Sequence, residues 1–307
     1  MIGNYLLRRL WQGLFLLIGV VFITFILIYV LPSDPARMIA GRSATAQSVE
    51  HIREQLGLNL PLWEQYLRYL WRLMHGNLGR SYIQRVDVSM LIGTRLWPTM
   101  QLMFASIGFE LVIGLTAGIL AALRPRSAMD RGTMLMTFIG VSSPQFVVGI
   151  ILLYVFSMRL GWFPMGGYGG WKNIILPALS LGFLGSGWYS RVMRSEMMDA
   201  LRQDYIRTAR AKGAGAGRIV LVHALRNAVL PIITMIGMDI GYFMSGVVVV
   251  ESVFGWPGIG QLMWQAIQNV DAPVIMGVTL VAATAIILGS LLADIFSLFV
   301  DPMIRLR

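Results

Sequence analysis

Residues 196–231, EMMDALRQDYIRTARAKGAGAGRIVLVHALRNAVLP, form a basic and mostly polar segment between two apolar segments, each long enough to cross a lipid bilayer. A connection between two membrane helices is often only a short turn, whereas this one has room for two short helices. It carries six basic and three acidic residues, so its net charge is positive. The pattern indicates a docking surface on the cytoplasmic side of a membrane protein.

The composition of the whole chain is that of an integral membrane protein. Of its 307 residues, 56% are hydrophobic and only 13% are charged, and the mean hydropathy is +0.68. These values are far more apolar than those of an average soluble domain. The chain has no Cys, which excludes disulfides, Cys-ligated metals and thiol chemistry. The net charge of +10 would suit nucleic acid, but in a membrane protein excess Arg sets the topology and contacts anionic lipid headgroups.

Six membrane spans are predicted, so the expected fold is an all-α integral membrane protein. The first apolar run follows Arg8 and Arg9 as in a signal peptide, but it is too long and lacks a small-residue cleavage site. We therefore expect it to be a retained helix. Pro144 is expected to kink the third span, and Pro177 with several Gly to break the fourth. The predicted spans are residues 10–31, 98–123, 133–158, 173–189, 230–250 and 274–300.

The distribution of basic residues predicts that both termini lie in the cytoplasm. Fifteen of the 25 basic residues fall in the N-terminus, the second and fourth connections and the C-terminus, all on one side of the six spans. This orientation makes residues 32–97 an extracytoplasmic section, with amphipathic stretches at 49–56 and 63–73. Residues 301–307 become a cytoplasmic tail.

The basic segment itself predicts two helices separated by glycines. Asp204, Tyr205, Arg207, Thr208 and the residues after them form a helix with a face of small side chains rimmed by Arg. Three glycines at 213, 215 and 217 end it, and a second short helix covers 219–228. Such a helix suits insertion into a groove on another protein. The alternative is an Arg-rich helix that lies on anionic lipid.

Several segments resemble the permeases of binding-protein-dependent ABC importers, and more narrowly the dipeptide/oligopeptide/nickel permease family. YIRTARAKG (205–213) and HALRNAVLP (223–231) look like the cytoplasmic coupling loop of that family. YLLRRL (5–10) with LPSDPAR (31–37), VVVVESVFGWPGIGQLMWQAI (247–267) and LLADIFSLFVDPMIR (291–305) resemble its first helix and exit, its outer segment and its last helix. The matches occur in the right order over nearly the whole chain. The sequence departs from the family pattern at Ser33, where Gly is common, and in lacking the acidic residue of the family's EAA motif.

The resemblance implies a type I ABC importer transmembrane fold, with residues 98–300 as the transmembrane domain and 194–230 as the coupling loop. It also implies four partners, namely a second permease, two ATPases that carry ATP and Mg, and an extracytoplasmic solute-binding protein. The implied cargo is di- or oligopeptide, with glutathione or a nickel chelate as alternatives, since MGGYGGW (165–171) resembles nickel-type members. The residues implied to contact the ATPase are Asp204, Tyr205, Arg207, Thr208, Ala209, Arg210, Ala211, Lys212 and Gly213.

Four carboxyl side chains lie inside or at the ends of predicted spans, where ionisable groups by default mark function. Asp239 lies mid-span, and either lines a pore or pairs with Arg, Tyr or a backbone amide of a neighbouring helix. Glu251 and Asp294 are expected to be orientation anchors, and Glu110 completes the set.

No nucleotide-binding, nucleophile or metal-site motif occurs in the sequence, so no catalytic, cofactor or metal site is expected. The chain must therefore take its energy from an ATPase subunit, or act as a secondary transporter driven by an ion gradient. The second alternative would leave the basic segment without a purpose. Gradient-driven carriers also usually place several ionisable residues at the midplane, and Asp239 is the one good candidate.

Overall fold

The computed structural model describes residues 2–30, 35–41 and 44–300, and within these ranges the regular elements are helices. A single bridge pair, Arg80 with Asp87, is the one β-type contact in the same ranges. The predicted tail at 301–307 and the exit at 31–34, including Ser33, lie outside the described residues. The helices are α1 (Ile2–Val30), α2 (Pro35–Ala40), α3 (Ala46–Gln55), α4 (Leu62–Met74), α5 (Val88–Leu123), α6 (Ala128–Ser142), α7 (Gln145–Leu152, continued as a π-helix over Leu153–Arg159), α8 (Trp171–Arg202), α9 (Asp204–Ala211), α10 (Ala216–Arg218, continued as a π-helix over Ile219–Ala224), α11 (Leu225–Ala228), α12 (Leu230–Met244), α13 (Val248–Val253), α14 (Ile259–Gln268) and α15 (Ala272–Val300).

Three described helices are long and apolar enough to cross a bilayer, namely α1, α5 and α15. Two bent pairs raise the number to five if each pair is one span: α6 with α7, bent by 106°, and the 216–228 segment with α12, bent by 52°. The first bend lies at Pro144, where a kink was predicted. Helix α8, with 32 residues, is long enough to cross a bilayer, but it is not apolar enough to be counted among these spans. The structure therefore supports three to five of the six predicted spans by length and composition.

Two details of the predicted spans are wrong. The fifth was expected to cover about 230–250, but α12 ends at Met244 because Gly246 adopts a positive φ of 92°. A Cβ atom there would lie 2.3 Å from the Cα atom of Gly260, so only glycine fits the approach. The fourth was expected to break at Pro177, but α8 continues through this buried proline. Packing retains the helix at the cost of one backbone hydrogen bond, as is common in membrane helices.

The described residues fall into two compact units. The first comprises residues 1–99, 244–248 and 257–287. One of its cores joins α5, α14 and α15, and the other joins α1, α4 and the start of α15. Asp271, just before α15, fixes the loop before α5. Its buried carboxylate accepts hydrogen bonds from the Ser81 hydroxyl and from the backbone amides of Tyr82 (3.0 Å) and Ile83 (3.5 Å).

The second unit comprises the described residues among 100–243, 249–256 and 288–307. Glycines let its helices approach closely, as their four-residue spacing predicts. A Cβ atom at Gly114 would lie 2.5 Å from the Tyr189 Cβ atom, and one at Gly118 would lie 2.6 Å from the Ser190 carbonyl oxygen. The core of this unit continues from α8 into α9 and α11, and it therefore positions the basic segment.

Candidate functional site

Helix α9 begins immediately after α8, with a single residue between them. Gln203 is extended (φ −68°, ψ 153°), which ends α8 and turns the chain into α9. Ile206 is the one buried residue of α9, and it packs against Met193, Met197 and other core side chains of the second unit. A single apolar anchor therefore holds α9 to the unit, while the rest of the helix faces outward.

A Schellman turn ends α9 at the predicted glycine. Gly213 has φ +79°, its amide donates to the Arg210 carbonyl oxygen (2.9 Å), and the Ala214 amide donates to the Ala209 carbonyl oxygen (3.1 Å). This pair of bonds satisfies the last carbonyls of the helix, and it needs a left-handed residue at position 213. The predicted helix end is therefore confirmed, together with its physical reason.

The outward side of α9 has a centre of short side chains with cationic flanks. At about 100° per residue, Asp204, Thr208 and Ala211 lie close together on the face opposite Ile206. The Arg207 side chain beside them is 81% exposed, and its contact with Asp204 (3.4 Å) contributes little because both groups are in solvent. Arg210 and Lys212 are also exposed, so α9 presents a net positive surface.

The return path to the next apolar helix is tied to α9 by a polar contact. Asn227 of α11 donates through its side-chain amide to the Tyr205 hydroxyl oxygen (2.9 Å). The predicted second helix over 219–228 is confirmed, although it starts at Ala216 and its middle is a π-helix. Ile219, Ala224 and Ala228 face the same core as Ile206, which makes the segment a compact structure rather than a loose loop.

The C-terminal half of α8 is held by an ion pair that the sequence did not predict. The Arg194 guanidinium donates from Nε to Asp130 Oδ1 (2.6 Å) and from Nη2 to Asp130 Oδ2 (2.7 Å). Asp130 also accepts from the Arg126 backbone amide (2.8 Å), and its side chain is 5% exposed. The Ser127 hydroxyl caps α6, the helix that carries Asp130, by accepting from the Asp130 amide (3.2 Å). The Ser-x-x-Asp spacing signals this cap, but no local pattern signals a partner 64 residues away.

Asp239 lies in a polar cluster with two side chains from other helices. The Tyr189 hydroxyl of α8 donates to its carboxylate, and the Glu110 side chain of α5 lies beside it. Glu110 is 3% exposed and fits because α8 has no Cβ atom at Gly185, where one would lie 1.8 Å from Glu110 Oε1. Pairing with Tyr was one of the two predicted outcomes for Asp239, whereas the role of Glu110 was not predicted.

The other predicted carboxylates occupy separate elements. Glu251 is fully buried in α13, and its carbonyl oxygen accepts from the Trp256 amide (2.8 Å). Asp294 is partly buried in α15, next to Ala293, where α15 crosses α12 at Gly237. The three predicted polar residues thus belong to three different helices.

Comparison with known protein families covers almost the whole chain. Residues 114–306 match the binding-protein-dependent transport system inner membrane component, and residues 1–103 match the N-terminal region of such membrane components. The glutathione transport system permease protein GsiC of Escherichia coli is 39% identical over 304 residues, which is 99% of both chains. GsiC of Shigella flexneri and of Salmonella paratyphi A give the same identity and coverage.

Solved structures show the same fold. Two inward-facing structures of the MetNI methionine ABC transporter align with TM-scores of 0.58 and 0.53. Both are 19% identical and cover 69% of this chain and 97% of theirs. The chain belongs to the family of binding-protein-dependent transport system inner membrane components, and is a multi-pass permease subunit of an ABC importer in the bacterial inner membrane.

Proposed function

We propose that this chain forms half of a translocation path for short peptides, and that α9 docks in a cleft of an ATPase subunit. The observation that carries the proposal is the presentation of α9, which has one buried anchor, a fixed C-terminal turn and an exposed cationic face. The sequence contains no phosphate-binding loop, so ATP-driven transport needs a separate ATPase.

The remaining partners follow from the family. A second permease completes the path, a second ATPase docks on that permease, and a solute-binding protein delivers cargo to the outer face. Closure of the ATPases on ATP moves α9, which biases a membrane domain with two conformations, one open to each side. The chain itself does no chemistry on ATP.

Glutathione is the first cargo to test among the short peptides. It is a tripeptide, and the curated relatives at 39% identity are glutathione transport permeases. These relatives are versions of one protein from enterobacteria, so they supply a single indication. Dipeptides, longer oligopeptides and a nickel chelate are the alternatives that a competition experiment must include.

The cysteine-free sequence allows a direct test of docking. A Thr208→Cys variant, on the outward face of α9, should cross-link to a single cysteine placed in the ATPase cleft. The reaction is carried out on the assembled complex in isolated membranes. The matched control is Asp199→Cys, an equally exposed position on α8. Equal cross-linking of both variants, or none at Thr208, would contradict the docking assignment and favour a helix that lies on lipid.

Transport of the reconstituted complex tests the energy source and the cargo. Uptake of labelled glutathione into proteoliposomes should require ATP on the ATPase side together with the binding protein. Uptake driven by an ion gradient without ATP would instead identify a secondary transporter. Competition by unlabelled dipeptides, oligopeptides and nickel chelate then ranks the cargoes.

A further inference from the structure

Helix α4 has three distinct faces instead of the two of an ordinary amphipathic helix. At about 100° per residue, the first sector of about 100° contains Tyr66, Tyr69, Leu70 and Leu73. A second apolar sector of about 80° contains Trp63, Leu67, Trp71 and Met74. The remaining sector is polar and contains Glu64, Gln65, Arg68 and Arg72.

The first face fixes α4 to the ends of two membrane helices. Tyr66 contacts the Phe22 and Phe25 rings edge-on, with centroids 5.6 Å and 5.1 Å apart. Tyr69 is 5% exposed and belongs to a core that includes Ala272 and Met276 from the first turn of α15. The apolar part of α1 ends at Ile28, and that of α15 begins at Ala272. Helix α4 therefore lies at the depth where both spans meet the membrane surface.

The second face is apolar and exposed. The exposed fractions are 64% for Trp63, 55% for Leu67, 62% for Trp71 and 72% for Met74. A row of four such side chains over three turns is a large patch to leave in water. On the neighbouring first face, Tyr66 contacts Phe22, which is 49% exposed and belongs to the exposed apolar side of α1.

The third face is polar and carries more positive than negative charge. Arg68 pairs with Glu64 (2.8 Å), whereas the Arg72 side chain adds a further exposed cation. Gln65 turns back to donate to the carbonyl oxygens of Leu58 (3.3 Å) and Leu60 (2.8 Å), which fixes the start of the helix. Two guanidinium groups beside an apolar face with two Trp residues match the chemistry of the zone between phosphate headgroups and acyl chains.

We propose that α4 is an interfacial helix whose face of Trp63, Leu67, Trp71 and Met74 inserts into the headgroup–acyl boundary of the bilayer. The occupant of this face is lipid, since the first face fixes α4 beside the exposed apolar side of α1 at the depth where the spans end, and the Trp and Arg side chains suit that zone. By lying flat at that depth, α4 anchors the section between α1 and α5 to the membrane surface. This role goes beyond the translocation path and does not depend on the cargo or on docking to an ATPase.

Spin labels at neighbouring positions test the proposal directly. Leu67→Cys and Arg68→Cys, each with a nitroxide label, are placed in the permease–ATPase complex reconstituted without binding protein in phosphatidylethanolamine–phosphatidylglycerol vesicles. The label at 67 should collide more with dissolved oxygen and less with a water-soluble nickel chelate, and the label at 68 should show the reverse. Met74→Cys, on the same apolar face, should repeat the result for 67, and it replaces that variant if Leu67→Cys does not fold.

Two results would overturn the inference. If the label at 67 collides with the nickel chelate as often as the label at 68, the face lies in water. If the label at 67 is protected from both reagents, a protein surface covers the face instead of lipid. Retained ATP-driven uptake, measured separately after the binding protein is added to the labelled complexes, serves as the control for native structure.

Discussion

Replacing Asp130 with Asn should release the C-terminal half of α8, and with it α9. The Asp130 carboxylate accepts three hydrogen bonds, two from the Arg194 guanidinium and one from the Arg126 amide. An Asn side chain has one acceptor oxygen, and its NH2 group would face a donor wherever it is placed. The substitution keeps the shape of the side chain while it removes the charge and at least one of the three bonds.

The expected loss of stability follows from this geometry. A hydrogen bond to a charged group contributes about 1.5–3 kcal/mol, and removal of one partner from a buried ion pair costs about 3–5 kcal/mol. The Arg194 side chain is 26% exposed, so water recovers part of its solvation. We therefore expect a loss of about 3 kcal/mol, at the lower end of the range for buried pairs.

Thermal denaturation of the purified complex and ATP-driven uptake measure the effect together. Asp130→Asn should lower both the denaturation temperature and the uptake rate, whereas Arg191→Gln should change neither strongly. Arg191 is the matched control because it is exposed on the same helix, and its guanidinium lies 5.2 Å from the Trp188 ring centroid. Arg194→Gln combined with Asp130→Asn should cost much less than the sum of the two single changes. Losses of stability that add in the double variant, or equal losses from Asp130→Asn and Arg191→Gln, would refute a stabilising role of the Asp130–Arg194 ion pair.

The other predictions concern close approaches and caps. Gly213→Ala should lower ATP-driven uptake, because Ala at φ +79° costs about 1 kcal/mol, while Gly215→Ala, with open space and no positive φ, should leave uptake unchanged. Gly185→Ala should reduce the yield of folded complex in size-exclusion profiles, because the new Cβ atom would lie 1.8 Å from Glu110 Oε1 and overpacking costs about 1–3 kcal/mol. Asp271→Asn should speed limited proteolysis of the loop before α5, since the carboxylate accepts three hydrogen bonds from that loop. Wild-type cleavage rates in the Asp271→Asn variant would contradict the conclusion that Asp271 holds this loop in place.

Local signals predicted much of the basic segment. The end of α9 was predictable because glycine adopts φ +79° at little cost. Gly213 follows Ala211, the last residue of α9, by two positions. The amphipathic stretches at 49–56 and 63–73 became α3 and α4 for a similar reason, since their apolar spacing is helical. In both cases the information lies within a few residues.

Long-range partners could not be predicted in the same way. The end of α12 depends on the approach of Gly246 to Gly260, and apolarity alone predicts a helix that continues. The environment of Asp239 depends on Tyr189, 50 residues away in sequence, and on a carboxyl group from α5. Hydropathy identifies such residues as unusual within a span, but it does not identify which helix supplies the partner.

The contacts of α8 suggest how a movement at α9 reaches the membrane. One residue, Gln203, separates the two helices, and Ile206 locks α9 into the core that α8 builds. A force on α9 cannot be absorbed by a flexible linker, so α8 must follow. The same helix contacts Asp130 through Arg194, near its C-terminal end, and Asp239 through Tyr189, nearer its middle. Helix α8 runs without a break from Trp171 to Arg202, so one continuous helix joins α9, through Gln203, to Tyr189, which contacts Asp239 of the carboxyl cluster. We infer that this continuous helix transmits the ATPase movement to the carboxyl cluster.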